Sequence, residues 1–196
     1  MSRTSVIIVG GGLAGLSVAW DLSLEPSLDV MLIEKRQHLG GRVFTLNVHG
    51  QEIDVGGFLI YPWYKRYHQL IQALGLSSEL THIRNTLQGD VHATHYFRRG
   101  SKVFVDRLQQ SLAARHVEFS FGCEFREMRD QHLVTNQGEL SADHVVFCQP
   151  PRSVAYTRFV TAMVAFSGEA SIGQDEDWGA CFYRPTEYCS KAFCPS

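Results

Sequence analysis

Gly10, Gly12 and Gly15 stand in the spacing G-x-G-x-x-G, directly after an apolar run at 6–9 and directly before a helical pattern. Glu34 closes the next apolar run, 30–33. Residues of these types at this spacing can hold a dinucleotide. Gly10 permits a tight turn, and Gly12 lets the backbone approach a pyrophosphate with no Cβ in the way. Gly15 lets helix and strand pack closely, helped by the small Ala19 one helical turn later. The helix start at Leu13, Ala14 and Gly15 aims backbone N–H groups and the positive end of the dipole at the phosphates. Glu34 can accept hydrogen bonds from a ribose hydroxyl, and its charge would repel a 2′-phosphate. A glycine-rich turn by itself is weak. Here strand, turn, helix and an acidic residue about twenty positions on all occur in the required order.

A β-α-β unit must position those groups, and the flanking sequence supplies one. The first helix carries Leu13, Leu16, Trp20 and Leu24 on one face, and Glu25-Pro26-Ser27 ends it because proline cannot continue a helix. A polar loop with Gly40 and Gly41 follows, then a second stretch at 52–61. Tyr67, Leu70, Ile71 and Leu74 read as a helix stopped by Gly75. Residues 77–96 show no assignable period. Arg98-Arg99-Gly100 reads as a turn, and Asp106 as the cap of a short helix bearing Leu108 and Leu112. Val117, Phe119 and Phe121 alternate with polar residues as a half-buried strand does. With two further strands flanking Asp130-Gln131 and a turn at Asn136-Gln137-Gly138 they make a β-meander. Residues 144–148 form a last apolar strand, which Pro150-Pro151 ends. Residues 155–166 are apolar on both alternating faces and call for cover on both sides.

The bulk composition bounds the classes. A chain of 196 residues has room for one domain, or for one domain and part of another. It is 44% hydrophobic and 19% charged, with Lys+Arg 18 against Asp+Glu 20 and a net charge of -2. No basic block supports a nucleic-acid partner. Residues 6–20 lack a cleavage site and place their glycines where a phosphate turn needs them, so they read as mature fold. No segment is apolar for long enough to span a bilayer. The five cysteines, an odd number without an export signal, suggest reduced thiols and a cytoplasmic setting. Neither the C-terminal cysteines nor His92 and His95 in H-A-T-H have metal-ligand spacing; those two histidines read as surface or loop residues, and no metal is expected. Tyr61, Trp63 and Tyr64 form an aromatic cluster that could wall a pocket or pack in a core.

Four blocks together resemble the flavin-containing amine oxidase superfamily, including its protoporphyrinogen-oxidase-like and carotenoid-desaturase-like branches. They are V9-G-G-G-L-A-G-L-S-V-A19, L32-I-E-K-R36 with L39-G-G-R-V43, D54-V-G-G-F58, and the stretch from Leu133 to Pro151 ending in A-D-H-V-V-F-C-Q-P-P. They fall within about the first 150 positions. L-G-G-R after I-E-K-R, then D-V-G-G, is the more specific part and favours FAD over a nicotinamide. The resemblance implies that Gly40 and Gly41 bring the backbone close to the cofactor and that Arg42 lies beside the diphosphate and flavin, where its planar donors suit a phosphate. It further implies that Gly56, Gly57 and Phe58 border the isoalloxazine, with Leu59 along its edge. Lys35 and Arg36 would approach adenosine, Phe125 would face adenine through its backbone, and Cys148 would lie beside the nucleotide as a small apolar side chain.

The expected fold is thus α/β: a Rossmann-like FAD/NAD(P)-binding domain at 1–150 with a parallel sheet, an inserted β-meander and a short partly helical insertion at 61–96. Residues 151–196 would be a β-rich remnant of a substrate domain, covered by self-association. The expected activity is FAD-dependent oxidation, removing a hydride equivalent from a small organic substrate. No residue is forced into the role of catalytic acid or base. Relatives carry a longer substrate insertion after D-V-G-G and a late glycine-rich segment that contacts the flavin. Both are missing from this pattern, which keeps open a non-catalytic nucleotide-binding module. An NAD-linked dehydrogenase is a weaker alternative, since it leaves L-G-G-R and D-V-G-G unexplained.

Overall fold

The computed structural model describes residues 3–48, 50–57, 59–83, 94–130 and 132–149, together with three two-residue strands further on. In chain order the elements are β1 (Thr4–Val9), α1 (Leu13–Leu22), β2 (Leu28–Glu34), β3 (Thr45–Val48), β4 (Gln51–Asp54), α2 (Lys65–Ala73), β5 (Leu80–Ile83) and β6 (Thr94–Phe97). They continue with α3 (Lys102–Ala113), β7 (Glu118–Phe121), β8 (Phe125–Arg129), β9 (His132–Thr135), β10 (Gly138–Leu140) and β11 (His144–Phe147).

The centre is a parallel sheet in the order β11-β1-β2-β7. The strands expected at 6–9, 30–33 and 144–148 therefore share one sheet. Its two faces explain why β1 and β2 are almost continuously apolar, since a strand covered on both sides has no face left for water. Successive side chains point to opposite faces. Ile8 and Leu32 meet the helices, packing with Leu16, Ala19, Phe104, Leu108 and Leu112. Ile7, Val9 and Ile33 meet Cys123 and Leu133 on the meander side. Leu108 and Leu112 on α3 are fully buried, and each such burial stabilises by about 1.5–3 kcal/mol.

The helices are oriented by their apolar faces. On α1 the buried residues are Gly15, Leu16, Ala19 and Trp20. Trp20 carries the Arg115 guanidinium over its ring at 3.8 Å. The helix ends at Leu22, with Ser23 as its C-cap, so Leu24 falls outside it and is 56% exposed rather than part of the apolar face. The ending precedes Pro26 because chain reversal needs the intervening residues; Leu24 N–H and Glu25 N–H bond back to Asp21 and Leu22 carbonyls. The expected helix through Tyr67 to Leu74 is present as α2, with Gly75 at φ 69 behind it.

Four expectations need correction. First, β7 is not the opening strand of the meander but the edge of the parallel sheet beside β2, because α3 brings the chain back to run in the same direction. The meander is β8-β9-β10, antiparallel throughout. Second, α3 begins four residues before Asp106, with Ser101 as N-cap; Asp106 lies inside the helix and pairs with Lys102 one turn earlier. Third, the unassigned stretch at 77–96 contains the antiparallel pair β5–β6. Fourth, His95 is a strand residue with its ring against His82 at 4.2 Å and His68 at 5.7 Å. His92 lies outside the described residues.

The expected substrate-domain remnant at 151–196 also lies outside them, apart from Ala162–Met163, Ala180–Cys181 and Ser190–Lys191. These pair antiparallel with the last in the middle. Among the described residues no helix is long and apolar enough to cross a membrane.

Candidate dinucleotide site

The site is built from three glycine turns laid side by side. Gly10, at φ 107, turns the chain out of β1, and Gly12 is the N-cap of α1. Gly12 has no side chain to cap the helix, so the first N–H groups of α1, at Leu13, Ala14 and Gly15, remain available to an anion. A Cβ on Gly15 would collide with the Gly10 carbonyl oxygen, which is the close helix–strand packing the spacing predicts. A Cβ on Gly12 would meet nothing nearer than Gly41 Cα at 4.0 Å. Room therefore exists over Gly12 that no protein atom fills.

The second turn is joined to the first through its backbone. Gly40 N–H donates to the Gly11 carbonyl at 2.8 Å, and Gly12 and Gly40 form a parallel bridge. Gly40 and Gly41 have φ of 101 and 63, and a Cβ on Gly41 would stand 3.0 Å from Gly12 Cα. The third turn joins the second in the same way. Gly57 N–H donates to the Arg42 carbonyl and Val55 N–H to the Phe44 carbonyl, each at 2.9 Å. Gly56 has no room for a Cβ against the Arg42 carbonyl oxygen, whereas Gly57 faces open space. Residues 10–12, 40–42 and 55–57 thus form one continuous strip of main chain.

Glu34 ends β2 beside that strip and is 8% exposed. Its carboxylate accepts from Gly11 N–H at 2.7 Å and from Arg36 N–H at 2.9 Å. A carboxylate has about four acceptor positions, so two stay free for hydroxyl donors. The Glu34 carbonyl receives the Cys123 N–H at 3.0 Å, tying β2 to the segment leading into the meander. Lys35 and Arg36 are exposed, and the Arg36 guanidinium donates to the Gly41 carbonyl at 3.2 Å. Arg42 is exposed, and its side chain has no partner among the described residues.

On the other flank, Cys148 N–H donates to the Val9 carbonyl at 2.9 Å, and the Cys148 carbonyl carbon lies 3.4 Å from the place a Cβ on Gly10 would occupy. Burial pushes the Cys148 thiol above its ordinary pKa, so it stays neutral and acts as a small apolar group. Phe125, at the start of β8, packs edge-on against Phe147 at 5.0 Å. Of the residues singled out in the sequence, the fold brings Gly10, Gly12, Leu13, Ala14, Gly15, Glu34, Arg36, Gly41, Arg42, Gly56, Gly57 and Cys148 to the strip or its margin. Phe125 is engaged in packing, and Phe58 lies outside the described residues. Trp63 and Tyr64 are exposed rather than core, stacked or edge-on with Tyr61.

The residues missed in the sequence are those that hold the third turn. The Asp54 carboxylate accepts from Ser101 N–H, at 2.9 Å to each oxygen, from the Ser101 hydroxyl at 2.9 Å, and from the Thr45 hydroxyl. Thr45 Oγ1 in turn accepts from Lys102 N–H at 2.9 Å. The only sequence signal was a serine standing before the periodic residues of α3, the usual position of an N-cap.

A family described as an NAD(P)-binding Rossmann-like domain matches residues 8–74. The flavin-containing amine oxidase A of Canis lupus familiaris is 36% identical over 97 residues, which are 49% of this chain and 18% of that protein. The chain thus spans under a fifth of the length of that curated relative. Among solved structures, a protein assigned as a protoporphyrinogen oxidase from Exiguobacterium sp. 255-15 superposes with a TM-score of 0.66 at 16% identity, covering 76% of this chain and 60% of that one. Wild-type putrescine oxidase bound to putrescine superposes with a TM-score of 0.60 at 13% identity, covering 76% and 58%. At such identities the likeness is one of fold. The family match at 8–74 covers the blocks that build the glycine strip, and over about half of its length the chain is similar in sequence to a flavin-containing amine oxidase.

Proposed function

We propose that the chain binds FAD along the glycine strip and forms the cofactor side of an oxidoreductase that takes a hydride equivalent from a small organic substrate. The observation that carries this reading is the room over Gly12 and Gly57, two glycines on one backbone strip whose absent Cβ atoms no protein atom replaces. On this reading the N–H groups at the start of α1 receive the pyrophosphate, and Glu34 receives the ribose hydroxyls. Arg42 neutralises phosphate charge, and Gly56-Gly57 borders the flavin. Phe58, Lys35 and the backbone at Phe125 complete the adenosine and ring contacts. Bound flavin would supply the redox chemistry, and the protein would supply binding, orientation and electrostatics.

Several features support FAD over NAD. L-G-G-R and D-V-G-G become the second and third turns of one site, and a nicotinamide dinucleotide on the first turn alone would leave them without a role. Absorbance of the purified protein, with parallel fluorescence titrations of FAD and NADH, tests the reading. Binding of FAD in preference to NADH is the expected result, and a colourless protein that takes up no FAD overturns it. FAD binding without reduction by any small amine or alkene substrate would select the nucleotide-binding module instead.

A further inference from the structure

We infer that Asp54 is a positioning residue for the flavin end of the site, acting through the backbone of 55–57; the inference rests on the FAD reading above. The carboxylate is engaged by the start of α3 and by Thr45. Both oxygens accept from Ser101 N–H, and the hydroxyls of Ser101 and Thr45 fill further positions. Lys102 directs its ammonium to Asp106, so the Asp54 charge is met by N–H groups and hydroxyls at the start of α3 rather than by a cation. Ser101 is 1% exposed, and Gly100, at φ 77, is the position where the chain enters this corner. A Cβ there would stand 2.9 Å from Thr45 Cγ2 and 3.4 Å from Asp54 Oδ1. The same charge also acts on Tyr67 of α2. Burial first, and then the Asp54 charge, hold its hydroxyl protonated well above the usual tyrosine range.

Thr45 and Asp54 are the closing pair of the β3–β4 ladder. Directly beyond them run the Val55-to-Phe44 and Gly57-to-Arg42 hydrogen bonds that place the third glycine turn. The start of α3 thus fixes the point from which Gly56 and Gly57 are laid against Arg42. Loss of the carboxylate would leave the Ser101 N–H and the hydroxyls of Ser101 and Thr45 without good partners, and the turn would loosen from that end.

The test compares Asp54→Asn, Thr45→Val and Thr45→Ser with the parent chain in two measurements. Hydrogen exchange of the Val55 and Gly57 amides needs no cofactor. Asp54→Asn and Thr45→Val should speed it by about tenfold, the equivalent of one net hydrogen bond, while Thr45→Ser restores protection. The ratio of FAD to ADP affinity should fall by about tenfold in the same two variants and return in Thr45→Ser, because ADP needs only the first turn. Unchanged exchange at Val55 and Gly57, or an unchanged ratio in protein that binds FAD, overturns the inference. A parent that binds no FAD overturns the function proposed above, and the exchange data then decide alone whether Asp54 places 55–57. Should Asp54→Asn fail to fold, the Thr45 pair carries both measurements.

Discussion

In the turn at 10–15, Gly15 is pressed against the Gly10 carbonyl oxygen while Gly12 faces open space; in the turn at 55–57, Gly56 is pressed against the Arg42 carbonyl oxygen while Gly57 faces open space. Each turn therefore pairs a glycine pressed against main chain with one whose room is left for something else. They differ in what holds them. The first is built on its own strand and helix, a local β-α unit, and is steadied by Glu34 and by the Gly40 N–H, which bond the two sides of Gly11. The second is fixed by a hairpin and by the start of α3, which is 47 residues away in sequence at the Asp54–Ser101 contact. A packed glycine and an open glycine look alike in sequence, and only the surrounding backbone separates them.

The strongest way to break this comparison is to fill the packed positions. Gly15→Ala and Gly56→Ala should each destabilise by roughly 1–3 kcal/mol or more, because the obstructing atom is main chain and cannot move aside. Urea unfolding measures it, and a midpoint equal to the parent's in either variant would refute the close approach at that glycine.

Glu34→Ala comes next. The structure adds to its expected role, since the same carboxylate that would serve the ribose also satisfies the buried Gly11 N–H. Truncation should cost about 1–3 kcal/mol of stability through that orphaned donor, together with about ten- to a hundredfold in FAD affinity. Loss of affinity with the unfolding midpoint intact would show that Gly11 finds another partner.

Filling the open positions should leave the fold alone. Gly12→Ala places a Cβ at an unstrained 4.0 Å from Gly41 Cα and Gly57→Ala places one in open space, so their unfolding midpoints should match the parent's. Gly12→Ala should weaken ADP and FAD together by about tenfold, and Gly57→Ala should weaken FAD alone. Equal losses for ADP in both variants would place the two turns on the same part of the ligand and erase the distinction between them.

The smallest effect concerns Asp143, which ties the starts of β11 and β1 together by accepting from Ser5 N–H at 2.7 Å and from its hydroxyl at 2.8 Å. The backbone bond first, and then the hydroxyl, hold its carboxyl below the usual range. A lowered folded-state pKa makes its contribution complete above the unfolded value, about 3.9, and lost as pH falls from there through the folded value. Asp143→Asn should flatten the stability profile in that acid window and nowhere else. An unaltered acid limb would mean the pair does not hold the first turn's strand to its neighbour.

Sequence alone determined the first half of this comparison. The G-x-G-x-x-G spacing, the two apolar strands and Glu34 are local, and their periodicities follow from a strand buried on both faces and a helix packed on it. The same logic located α2, the turn at Gly100 and the two meander strands that flank Asp130-Gln131. It failed where distant partners decide. Alternation at 117–121 is the same for a meander strand and for the edge of the parallel sheet, and β2 alone makes it the latter. Asp106 has the chemistry of a cap, yet α3 starts earlier because Asp54 and Thr45 satisfy its first N–H groups from across the fold. Asp54 stood in the D-V-G-G block with no readable role. Its role is a set of hydrogen bonds to residues 45, 101 and 102, and such contacts are created only when folding closes the chain between them.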